Sequence, residues 1–115
     1  MNSSFAKKLE PAQVISQIKA VAKEVLPHGS TVYLYGSRAR GDNHEDSDWD
    51  LLVLLDKDEA STQEREDYSY AFSERGWDIG EDINARVYTK KRWYNSPRSL
   101  FYFNVEEDKK IIYGT

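Results

Sequence analysis

Two carboxylates one residue apart, Asp48 and Asp50, lead into an unbroken aliphatic run from Leu51 to Leu55. On an extended strand, side chains at i and i+2 share a face, so Asp48 and Asp50 project together while Trp49 and Leu51 point the other way. Parallel carboxylates repel unless a cation lies between them. Oxygen donors of this kind suit Mg²⁺ or Mn²⁺, with water and substrate phosphate completing the shell. Two such ions about 3.5–4 Å apart stabilise attacking and leaving oxygens together in phosphoryl or nucleotidyl transfer.

Upstream lies Gly36-Ser37, directly after the β-branched and aromatic run Thr31–Tyr35. A Gly-Ser turn that leaves a strand and enters a helical turn offers backbone N–H groups and a positive dipole end to an anion. Ser37 adds a hydroxyl, and Gly36 lacks the Cβ that would block close approach. Arg38 and Arg40 flank the turn, where a guanidinium can pair bidentately with phosphate oxygens. Taken singly, a Gly-Ser dipeptide is more often a plain turn and an exposed Arg is usually solvated. The joint spacing, with residues 38–47 between Ser37 and Asp48, carries the assignment.

The surrounding elements follow from periodicity. Val14, Ile15, Ile18, Val21, Ala22, Val25 and Leu26 recur at helical spacing after Pro11, which predicts a helix over Pro11–Leu26. Thr31–Tyr35 and Asp48–Leu55 read as buried strands, the second covered on both faces. Ser37–Arg40 reads as a short helical turn. The capping-box pattern at Ser61–Glu64, with Tyr68, Ala71 and Phe72 behind it, predicts a helix closing near Gly76. Ile83, Ala85 and Val87 alternate with Asp82, Asn84 and Arg86, as in a half-exposed strand. Thr89 caps a short helix through Trp93, Ser99–Glu107 reads as another, and Lys110–Tyr113 as an edge strand. Trp49, Trp77, Trp93 and the stripe from Leu100 to Phe103 are expected in the core. His28 and His44 read as surface residues, and Lys90-Lys91-Arg92 as a solvated helix face.

Length and composition narrow the class. A chain of 115 residues suits a single domain over 1–115, built as one compact α/β unit (α+β) with a mixed sheet flanked by helices. With no Cys, disulfide and thiolate-zinc chemistry are excluded. Met1–Glu10 has no apolar run of signal-peptide length and no segment reaches membrane-span length, so the expected location is cytoplasmic, away from a membrane. The formal charge of -4 gives no basic channel and argues against long nucleic acid as partner.

Gly36-Ser-Arg-Ala-Arg-Gly41 with Ser47-Asp-Trp-Asp-Leu51 resembles the DNA polymerase β-type nucleotidyltransferase superfamily, and specifically its minimal stand-alone members. The resemblance is strong from about Tyr33 to Asp56. It implies metal-dependent transfer of a nucleoside monophosphate from an NTP such as ATP, with Gly36 and Ser37 on the triphosphate and Asp48 and Asp50 on metal. It also calls for a third carboxylate on a later strand. The expected position holds Asn84, with Asp82 two residues earlier on the same face and Glu81 beside it; Asp82 is the candidate, Glu81 and Asn84 the alternatives. The acceptor in this reading is a hydroxyl, and pyrophosphate is released. Minimal members of the family often pair with a small helical HEPN protein, which implies a second reading as an antitoxin-like binding module. Exposed aromatics leave pairing with a second copy open as well.

Overall fold

The structure, a computed structural model, describes residues 8–114; Met1–Lys7, and with them most of the segment inspected for a signal peptide, lie outside the described residues. Helix α1 (Pro11–Val25) starts with Pro at its first position, and the Gln13 side chain accepts from the Glu10 backbone N–H at 2.8 Å. It stops at Val25, two residues before Pro27, whose ring disfavours helical backbone at Leu26. Strand β1 (Thr31–Tyr35), the single turn α2 (Ser37–Arg40) and strand β2 (Trp49–Leu55) follow. Helix α3 (Thr62–Ile79) then crosses to β3 (Ile83–Thr89), and α4 (Lys90–Asn95), α5 (Leu100–Asp108) and β4 (Lys110–Tyr113) complete the order.

The four strands form one mixed sheet in the order β3-β2-β1-β4. β2 and β3 run parallel, joined by the α3 crossover, whereas β1 is antiparallel to both β2 and β4. Register places Tyr35 opposite Asp50 on one side and Asn84 opposite Asp50 on the other.

Alternation along β2 divides the core in two. Trp49, Leu51, Val53 and Leu55 face α1 and α3, where Val14, Ile18, Val21 and Phe72 close over them. Leu52 and Leu54 face the opposite layer, against Trp93, Tyr102 and Val105 from α4 and α5. Asp50 shares that second face, so the acid lies at the end of a sandwiched strand whose remaining residues are all buried. β3 is an edge strand, and α3 covers part of its open side: Ser69 and Ser73 donate to the carbonyls of Ala85 and Ile83 at 2.8 and 3.2 Å.

Three expectations are corrected. Helix α3 does not close at Gly76 but continues one turn to Ile79, with Gly80 as its left-handed cap at φ 74°. Gly76 stays helical because a bare Cα is needed there: a Cβ would lie 2.6 Å from the Glu81 carbonyl oxygen. The added turn carries Trp77 outward, two turns beyond Tyr70, so Trp77 is 65% exposed and meets Tyr70 edge-on at 5.7 Å instead of entering the core. Likewise α5 buries Tyr102 and Val105, leaving Leu100 and Phe103 exposed. The close passage at Gly76 sets the path of Glu81 and Asp82. Gly76→Ala is expected to lower the unfolding free energy by about 1–3 kcal/mol through overpacking; an unchanged midpoint in equilibrium urea unfolding would contradict this.

Candidate active site

The site is built where three chain segments meet at one end of the sheet: the turn after β1, the start of β2 and the start of β3. Gly36 leaves β1 at φ 78°, ψ -159°, a conformation essentially reserved for glycine. Its carbonyl accepts from Ala39 and Arg40, both at 3.0 Å, and Gly41 closes the turn onto the Ser37 carbonyl at 2.9 Å. The N–H groups that open such a turn have no preceding carbonyl within it to bond. Directly against the turn lies Asp50, since a Cβ on Gly36 would sit 2.7 Å from Asp50 Oδ2.

Asp48, Asp50 and Asp82 are brought together. Asp50 is half-buried, and its carboxyl is pushed up from the usual carboxylate value, first by burial and then by the charge of Asp48, with a smaller contribution from Asp82; Arg86 opposes the shift. The Asp82 carboxyl is raised too, by loss of solvent, by the Asp48 charge and by the hydrogen bond it shares with Asp48. The Asp82 backbone is anchored, its carbonyl accepting from Trp49 N at 2.8 Å. Crowded oxygen donors that repel one another suit a divalent cation, which would relieve them; the charge that opposes the shift at Asp50 is that of Arg86. Among the described residues no three Asp, Glu or His side chains are grouped closely enough to hold a metal ion by themselves.

The alternatives for the third acid separate clearly in space. Asn84 faces Asp50 across the parallel pair but offers only an amide. Glu81 is turned to the opposite layer, buried, accepting from Trp49 Nε1 at 2.9 Å and pairing with Lys8 at 3.2 Å. Glu81 is thereby corrected as a candidate ligand, because consecutive residues entering a strand point to opposite faces.

The two arginines sit elsewhere than expected for phosphate ligands. Arg38 donates to the carbonyls of Ser47 at 3.0 Å and Glu45 at 3.1 Å and stacks 4.2 Å over the Trp49 ring, on the face of β2 away from Asp50. Arg40 pairs with Asp42 and, at 2.8 Å, with Asp108 of α5. A guanidinium on the acid face is that of Arg86, which lies over Phe101 at 4.7 Å and interacts with Tyr35 and Tyr88. Its signal in the sequence was the polar alternation Asp82, Asn84, Arg86, which places all three on one face. A cleft of about 150 Å³ lined by Asp58, Arg65, Thr89 and Arg92 lies at the other end of β2 and β3, away from the acids.

A mixed sheet with a glycine turn pressed on a strand-borne carboxylate pair defines a polymerase β-like nucleotide-transfer fold. The family model described as nucleotidyltransferase domain matches residues 15–112, and the chain belongs to that family, whose general chemistry is nucleotidyl transfer. Solved structures share the fold. A toxin–antitoxin complex crystallised with AMP-PNP superposes with a TM-score of 0.64 at 20% identity, over 88% of this chain and 73% of the other. A mutant of the MntA–HpeT toxin–antitoxin pair gives 0.62 at 17% identity, with 88% and 73% covered. A protein from Sulfolobus solfataricus carrying a nucleotidyltransferase assignment gives 0.57 at 24% identity, with 87% and 79% covered. Comparison with curated protein sequences returned no match. Among the described residues no helix is long and apolar enough to cross a membrane.

Proposed function

We propose that this chain transfers a nucleoside monophosphate from an NTP, ATP being the working substrate, to an acceptor hydroxyl with release of pyrophosphate. The observation that carries this reading is the close approach of Gly36 to Asp50, where a Cβ would meet the carboxylate; it supports an anion cradle beside the acids. Asp48, Asp50 and Asp82 would hold Mg²⁺ or Mn²⁺, and the bound ion would supply Lewis-acid stabilisation of phosphate charge. Gly36 and Ser37 hold the β- and γ-phosphates through backbone N–H groups and the Ser37 hydroxyl. Arg38 shapes the turn by tying the loop behind it, Arg40 braces the turn on α5, and Arg86 faces the developing negative charge. Asp82 would accept the proton of the attacking hydroxyl, a role its upward-shifted carboxyl supports.

A second reading is a nucleotide-fold antitoxin that acts by contacting a small helical HEPN-type protein. It is supported by the toxin–antitoxin context of two structural neighbours and by the neutral Asn84 opposite Asp50. Exposed Tyr70, Trp77, Leu100 and Phe103 supply apolar surface of the kind that partners cover. Incubating the purified chain with α-labelled ATP and Mg²⁺, with and without a helical protein encoded beside it, separates the readings. Label on an acceptor supports transfer, whereas stable association without label supports the binding module.

A further inference from the structure

Behind the carboxylates, on the α1–α3 face of the sheet, lies a group that the chemistry does not use. The Glu81 side chain is 3% exposed yet charged, and its oxygens are taken by Trp49 Nε1 at 2.9 Å and Lys8 Nζ at 3.2 Å. Burying a carboxylate costs free energy unless hydrogen bonds and an opposite charge compensate, so the Glu81–Trp49 bond is strongly directional. On the same indole rests the Arg38 guanidinium, 4.2 Å from the ring centroid, itself tied to the carbonyls of Glu45 and Ser47. The Trp49 backbone N–H meets the Asp82 carbonyl at 2.8 Å.

Each of these three residues is a sequence neighbour of a group on the opposite, acid-bearing side. Arg38 follows Ser37 of the phosphate turn, Trp49 lies between Asp48 and Asp50, and Glu81 precedes Asp82. A displacement of any one therefore moves its neighbour in the site. We propose that the Trp49 indole is the positioning residue of this site: clasped between Arg38 and Glu81, it holds the phosphate turn and the three carboxylates in register. The inference rests on reading Asp48 and Asp50 as metal ligands. Partners that bond a metal ligand directly shift metal affinity by about 10–100-fold when lost, and the clasp acts one residue further back, through the chain.

The test measures the dissociation constant of Mn²⁺-ATP by electron paramagnetic resonance of free Mn²⁺, together with the urea unfolding midpoint, in the intact chain. Trp49→Phe keeps a ring beneath Arg38 but removes the N–H, and is expected to weaken binding about tenfold. Glu81→Leu is expected to match it, while Glu81→Gln, which still accepts from the indole, recovers to within about threefold of the parent. Leu55→Ala, fully buried at the end of β2 remote from Trp49, lowers the urea midpoint without weakening Mn²⁺-ATP binding. If Trp49→Phe fails to fold, the Glu81 pair decides alone. Parent-like binding in Glu81→Leu and in any folded Trp49→Phe, or equal weakening in Leu55→Ala, overturns the positioning role and leaves the site reading standing. A parent chain that takes up no Mn²⁺-ATP overturns the site reading and this inference with it.

Discussion

Asp50→Asn is expected to abolish nucleotide transfer while making the metal-free protein more stable at neutral pH. The loss follows from removing the carboxylate that touches the Gly36 turn and faces both Asp48 and Asp82; deleting one preorganised charge of this sort costs about 10²–10³-fold in rate. The gain follows from linkage. The Asp50 carboxyl is raised above its ordinary value of 3.8 by burial and by Asp48, so between that value and its folded value the native state binds more protons than the unfolded chain. Its contribution to stability is therefore fully present below pH 3.8 and is lost as pH rises through the raised value. Above that window the ionised Asp50 is a liability that Asn removes. Thermal unfolding in EDTA should show a higher Tm for Asp50→Asn than for the parent at pH 7, with the difference shrinking toward pH 4. Adding Mg²⁺ and ATP should stabilise the parent alone. An equal or lower Tm for the variant in EDTA would show that the acids do not strain one another.

Gly36→Ala is expected to have the second-largest effect, on nucleotide binding and stability together. Backbone at φ 78°, ψ -159° admits a side chain at a cost of about 1–3 kcal/mol, and the new methyl group would press on Asp50 Oδ2 from 2.7 Å. The turn must shift to relieve that contact, and the shift opens the cradle where the phosphate N–H groups converge. Isothermal titration with Mg²⁺-ATP should show binding weakened by at least about tenfold, the equivalent of roughly 1.4 kcal/mol. Gly41→Ala offers the comparison: Gly41 also has positive φ, at 85°, but a Cβ there meets nothing within 4 Å. It should lose stability while keeping most of its affinity. Similar affinity losses in both variants would assign the effect to backbone strain and remove the steric argument for Gly36 against Asp50.

Some of this molecule is written locally. The period of α1, the aliphatic run of β2 and the alternation of β3 each follow from side-chain spacing over a single element, and so does the Gly36-Ser37 turn entering a helical turn. The same holds for Asp48 and Asp50, because a strand alternates its faces whatever it packs on. Other features depend on residues far apart in the chain. Gly76 looked like a stop because glycine usually ends a helix, but here it is an opening through which the Glu81 carbonyl approaches. Trp77 has a large apolar side chain and still points to solvent, since α3 is docked by Phe72 and by Ser69 and Ser73, which donate to β3 carbonyls.

By itself the sequence determined the carboxylate pair, its glycine turn and the strands that bear them, since these depend on backbone geometry over a few residues. The tertiary structure decided that Asp82 joins the pair while Glu81 turns to Trp49, that Arg38 braces the loop, and that Arg86 faces the acids. Those choices rest on contacts between segments more than thirty residues apart in places, as between Trp49 and Glu81. Periodicity gives the face on which a side chain lies, but only the packing of one strand beside another determines what meets it there.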